Sequence, residues 1–155
     1  MSREIFGDRV GRSGKLAPSS CAVILDASRE KVLLTRRTDN GLWCLPGGMI
    51  SAGETISEAC RREVLEETGL IVELIRIVGV YTSPDVLIEY DDGNRFQGVT
   101  VCFEASATGG KMLLSDETDV VGFYTFDQME SMPVWGNNSE RVYDAITGRE
   151  FAFVK

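Results

Sequence analysis

Hydrophobic and polar positions along this chain change period several times, and each change marks an element. Residues 19–25 (SSCAVIL) and 31–37 (KVLLTRR) are rich in β-branched and aliphatic side chains and flank the polar segment ASRE, which predicts a strand, a turn and a second strand. Residues 37–43 (RTDNGLW) read as a loop. From Thr55 to Thr68 the pattern is helical. Thr55 with Glu58 three residues on makes a capping box, and Gly69 stands where a helix-ending glycine belongs. The next segments, 71–81 (IVELIRIVGVY), 96–105 (FQGVTVCFEA) and 119–126 (DVVGFYTF), predict three more strands, with DDGN at 91–94 and TGGK at 108–111 as turn signals. A short helix is expected from Asp127 to Met132, stopped by Pro133. Another follows, with Asn137 as cap and Glu140 three residues on, ending before Gly148. Strands, helix, strands, helix in this order predict an α/β domain with a mixed sheet.

Composition narrows the chemistry. The chain has 155 residues, enough for one domain, and carries 16 Lys and Arg against 24 Asp and Glu, a net charge of −8. It has no histidine, so Ser-His-Asp, Cys-His and His-zinc sites are excluded, and catalysis falls to carboxylates, hydroxyls, Lys and Arg, or a metal. The negative balance argues against binding a nucleic-acid polymer. Cys21, Cys44, Cys60 and Cys102 are widely spaced with no CxxC pair, and the first residues lack the apolar stretch of a signal peptide. Reduced thiols in a cytoplasmic protein are expected, and no apolar run approaches the ~20 residues of a membrane span. Residues 1–18 are locally basic and glycine-containing, which reads as an N-terminal arm or an edge strand.

The chemistry concentrates on the central helix. Glu63, Glu66 and Glu67 stand at i, i+3 and i+4, within roughly a 100° arc of one face. Like charges at these spacings cost about 0.2–0.5 kcal/mol per pair, and more where water is excluded. Arg62 can relieve Glu66 one turn away, yet residues 48–70 still hold five glutamates against two arginines. A hard divalent cation would relieve the rest. The preceding loop, LPGGMISAGE, supplies glycines that let the backbone approach closely and leads into the positive end of the helix. Taken alone, the cluster also reads as a solvated acidic helix face.

Gly48, Glu54 and the run Arg62-Glu63-Val64-Leu65-Glu66-Glu67-Thr68-Gly69-Leu70 match every specified position of the Nudix box, G-x5-E-x7-R-E-U-x-E-E-x-G-U with U aliphatic, so the chain resembles the Nudix hydrolase family. The likeness extends from about residue 19 to 147. It implies a Nudix-type α/β/α sandwich over residues 19–155, homodimerisation, and hydrolysis of a small-molecule nucleotide, a nucleoside diphosphate linked to another moiety. It further implies catalytic Mg²⁺ or Mn²⁺ held by Glu63 and Glu67, with Glu66 as a third ligand or water-positioner and the Gly48 carbonyl as a further contact. Glu54 would support the cluster, and Arg62 would hold a glutamate carboxylate in place. The proton acceptor is assigned to Glu67 or Glu66, with Glu117 in the later loop LLSDETD as an additional ligand or base.

Around that centre the sequence leaves alternatives. Arg36 and Arg37, at a strand end, could reach a substrate phosphate or simply be solvated. Tyr81 could stack on a base or pack the core, whereas Trp43 and Cys60 read as packing. Pro84, shortly after the box, lies close to where ADP-ribose-cleaving relatives carry a proline, so the resemblance leans to ADP-ribose or a nucleotide sugar. A MutT-like nucleoside triphosphate hydrolase, a non-catalytic nucleotide sensor and a non-hydrolytic user of the same fold are the competing readings.

Overall fold

The computed structural model describes residues 2–155. Its centre is a parallel pair, β2 (Lys15–Ile24) and β8 (Arg95–Gly110), in register from Lys15 opposite Phe96 to Ile24 opposite Ala105. On the far side of β8 lie β6 (Leu70–Thr82) and β7 (Val86–Tyr90), both antiparallel to it. β1 (Ser2–Phe6) borders β7, β5 (Gly47–Met49) borders β2, and β10 (Phe153–Val154) borders β6. A three-stranded antiparallel sheet joins β4 (Trp43–Cys44), β3 (Lys31–Arg37) and β9 (Thr118–Thr125). Three α-helices complete the described residues: α1 (Ile56–Thr68), α2 (Phe126–Glu130) and α3 (Asn138–Ile146).

Both faces of the central strands are covered, which is why they read as unbroken apolar runs. Ala22 and Ile24 of β2 pack with Cys60 and Val64 of α1, while Cys21 and Val23 face Met129 of α2 and Val142 and Ala145 of α3. The result is the expected α/β/α arrangement with a mixed sheet. Val64 is fully buried, a contribution of about 1.5–3 kcal/mol for such a side chain. All four cysteines are free and buried, and Trp43 meets Tyr124 edge-on at 4.9 Å between centroids, both as packing residues. No helix among the described residues is long and apolar enough to cross a membrane.

Three details depart from the sequence pattern. Ser2–Phe6 is an edge strand along β7, one of the two readings given to residues 1–18, whereas β2 begins at Lys15, four residues before the predicted start. Gly109 and Gly110 are not a turn, because they pair with Ile71 and Leu70 and extend β8. Gly110 needs its glycine: its φ is +82°, and a Cβ there would lie 2.2 Å from the Gly69 carbonyl oxygen. Asn137 precedes α3 but makes no side-chain cap. Its neighbour Asn138 is buried, donating to the Trp135 carbonyl at 2.6 Å and accepting from the Leu45 N–H.

Candidate functional site

The box folds into a short strand, a loop and a capped helix. Thr55 accepts from the Glu58 N–H, and the Glu58 carboxylate accepts from the Thr55 N–H at 2.8 Å, so the start of α1 is set locally. β5 pairs with β2, placing Gly48 opposite Ser20 and Gly47 opposite Cys21. A Cβ on Gly48 would sit 2.5 Å from the Glu63 carboxyl carbon. Glycine at this position therefore lets the helix lay Glu63 directly against the strand.

Arg62 organises the acidic face. Its guanidinium donates to both Glu54 oxygens, at 2.6 and 3.0 Å, to Glu63 Oε1 at 2.7 Å, to Glu66 Oε2 at 3.1 Å and to the Met49 carbonyl at 3.2 Å. The Arg62 bond holds the Glu54 carboxyl below its ordinary range. Glu66 is turned to solvent, its side chain 59% exposed. Glu67 is the opposite case, only 6% exposed, with Oε2 accepting from the Gly47 N–H at 3.0 Å. Burial first, then the negative charges of Glu63 and Glu117, push its carboxyl up to about 8. Burial also raises Glu63, despite Arg62 beside it.

Glu117 reaches this centre from a distant stretch of chain. The Thr118 hydroxyl donates to the Glu67 carbonyl at 3.0 Å, joining residues 51 positions apart, and the Leu113 and Lys111 N–H groups bond the carbonyls of Thr68 and Gly69. The loop before β9 is thus clasped to the end of α1.

Gly48, Glu63, Glu67 and Glu117 line one end of an open cleft of about 1150 Å³, with Arg37 on its wall. Arg62, Glu54 and Glu66 stand outside that lining. Phe6, Tyr90, Phe96 and Trp135 line other parts of the cleft, and α3 adds Asn138 and Arg141. Sequence reasoning missed these last residues, since nothing in the local pattern of the α3 segment singles them out. Two sequence assignments are corrected. Arg36 forms a two-bond ion pair with Asp119 at 2.8 and 2.9 Å and lies over Trp43, outside the cleft, because neighbouring residues on a strand face opposite ways. Tyr81 is 1% exposed and donates to Asp144 at 2.8 Å, so it presents no free ring face to a base.

The donor set of Glu63, Glu67 and Glu117 with the Gly48 carbonyl is all hard oxygen, which suits Mg²⁺ or Mn²⁺. A carboxyl pushed up to about 8 by burial beside two other acids is what such a cation would reverse. These side chains do not converge at ligating distance among the described residues, since Glu63 is bonded to Arg62 and Glu67 to the Gly47 N–H.

An ADP-ribose pyrophosphatase of Methanocaldococcus jannaschii is 33% identical over 117 residues, covering 72% of this chain and 66% of the relative. A protein of Bacillus subtilis described as a putative 8-oxo-dGTP diphosphatase is 38% identical over 100 residues, 64% of this chain and 59% of the relative. The chain thus matches less than two thirds of the length of either. Among solved structures, an ADP-ribose pyrophosphatase from Streptococcus suis superposes with a TM-score of 0.68 at 24% identity, covering 89% of this chain and 96% of that one. A UDP-X diphosphatase does so with 0.72 at 20% identity, covering 92% and 68%. The family profile for the NUDIX domain matches residues 15–145, from the start of β2 into the last turn of α3, and so takes in the box, the Glu117 loop and the cleft's α3 wall. The chain belongs to the NUDIX domain family.

Proposed function

We propose that this chain is a divalent-metal-dependent pyrophosphohydrolase acting on a nucleoside diphosphate linked to another moiety, with ADP-ribose or a nucleotide sugar as substrate. The observation that carries the reading is Glu67, buried at the end of an open cleft beside Glu63 and Glu117 with its carboxyl pushed up to about 8. Glu63, Glu67 and Glu117, with the Gly48 carbonyl, would hold Mg²⁺ or Mn²⁺. When bound, the cation neutralises the diphosphate and lowers the pKa of water. Arg62 fixes Glu63 through a 2.7 Å bond, and Glu54 fixes Arg62. The Gly47 N–H orients the Glu67 carboxylate, which would accept the proton of the attacking water once a bound cation keeps it ionised. The water oxygen joins one phosphorus as the bridging P–O bond breaks, giving two phosphate monoesters. The M. jannaschii relative's description as an ADP-ribose pyrophosphatase supports this choice of substrate.

The B. subtilis relative favours a second reading, cleavage of a nucleoside triphosphate to monophosphate and pyrophosphate. Turnover of ADP-ribose, UDP-glucose, dGTP and 8-oxo-dGTP with and without Mg²⁺, followed by product chromatography, separates the two. Mg²⁺-dependent AMP and ribose 5-phosphate from ADP-ribose is expected. Faster release of pyrophosphate from a triphosphate would transfer the assignment to the second reading, and binding without turnover of any of the four would leave a sensor.

A further inference from the structure

Three cations line the cleft, and two are committed. Arg37 is paired with Asp39 at 2.9 Å, and Lys155 with Glu140 and Asp144, both at 2.8 Å. Arg141, on the second turn of α3, forms no ion pair among the described residues. Its guanidinium lies over the Tyr81 ring, 5.2 Å from the centroid, and Nη1 donates to the Cys21 sulfur at 3.6 Å. Nε is buried and has no hydrogen-bond partner.

The position of Arg141 follows from the sheet register. Cys21 stands opposite Gly47, whose N–H bonds Glu67, so the guanidinium sits on the cleft wall beside the strand pair that carries the acidic centre. Tyr81 holds it from below while its own hydroxyl is tied to Asp144. Glu4 acts on it through charge alone. With Nη1 engaged and Nε buried, Nη2 is the donor left to meet a phosphate oxygen, in a bond that the guanidinium charge strengthens. Elsewhere the acidic lining repels a polyanion, and of the three lining cations Arg141 is the one not paired with a carboxylate among the described residues.

We propose that Arg141 is a substrate-binding residue that meets a phosphate of the nucleotide through its guanidinium Nη2, separately from the carboxylate cluster. The proposal rests on the nucleotide substrate proposed above.

The test is calorimetric binding of α,β-methylene-ADP in the presence of Mg²⁺, alongside ADP-ribose kinetics. Arg141→Gln should weaken binding about 10- to 100-fold, and raise KM by a similar factor with kcat within about threefold. Arg141→Lys, which restores charge on a more strongly hydrated, less pre-organised head, should recover only part of the loss. Melting temperatures of both variants check that the Tyr81 contact alone is not responsible, and Arg141→Lys carries the test if Arg141→Gln does not fold. Binding by Arg141→Gln within twofold of the unmodified protein, full recovery in Arg141→Lys, or no binding by the unmodified protein would overturn the proposal. Tight binding that is lost in Arg141→Gln, in a protein that hydrolyses no nucleotide, would sustain the Arg141 assignment while removing the hydrolase reading.

Discussion

Removing the negative charge of Glu67 should stabilise the metal-free protein at alkaline pH while abolishing its function. Folding takes this carboxyl from an ordinary value of 4.5 up to about 8, chiefly by burial. Between those two values the native state holds a proton that the unfolded state releases. Stability is therefore full below pH 4.5, falls as pH rises through the window, and reaches its floor above pH 8. At about 1.4 kcal/mol per pH unit the penalty is bounded near 5 kcal/mol, and water reaching the open cleft relieves part of it. Glu67→Gln keeps an oxygen for the Gly47 N–H but cannot ionise. In EDTA at pH 8.5 it should be more stable than the unmodified protein by about 1–3 kcal/mol, a rise of roughly 2–10 °C in Tm, and its stability should lose most of the slope between pH 5 and 8. Mg²⁺ should raise the Tm of the unmodified protein and leave that of Glu67→Gln almost unchanged, while turnover falls about 10²–10⁴-fold. Urea unfolding at pH 5, 7 and 8.5, with EDTA and with Mg²⁺, measures all of this. A variant that is less stable than the parent in EDTA at pH 8.5, with the same pH slope, would refute the burial argument.

Gly48→Ala sets a methyl 2.5 Å from the Glu63 carboxyl carbon, the end of a flexible side chain that can swing aside, so it should cost less than about 1 kcal/mol in urea unfolding while the displaced carboxylate lowers ADP-ribose turnover by at least about tenfold. Glu117→Gln should reduce kcat and raise the Mg²⁺ concentration needed for half-maximal rate. Unchanged values in both would return Glu117 to the solvated loop. Asp39 takes bonds from Arg37 and from Ser2 that outweigh its burial and hold its carboxyl down at about 2. Its contribution, about 2 kcal/mol, should be present above pH 4 and disappear as pH falls towards 2, and acid unfolding of Asp39→Asn should lack that component.

Local information was sufficient wherever the determining contacts are close in sequence. The start of α1 depends on Thr55 and Glu58, its end on Gly69 and Leu65, and the support of the acidic face on Arg62 with Glu54, Glu63 and Glu66. All of these are within one box, and all were legible. Gly109 and Gly110 show the limit, since a turn-forming pair becomes strand when Leu70 and Ile71 are already extended beside it. Adjacent Arg36 and Arg37 show another. Alternation along a strand separates them, but which one meets the cleft depends on how β3 packs against β9, with a register shift between the two residues.

By itself the sequence determined the family and an acidic helix whose carboxylates suit a divalent cation, because these rest on residues close along the chain. Tertiary structure alone decided that Glu67 is buried while Glu66 is not, that Glu117 lines the same cleft, and that Arg141 stands on its wall without an ion pair among the described residues. Burial and charge pairing arise from segments that meet only when the sheets, α1 and α3 pack together, and no local pattern carries them.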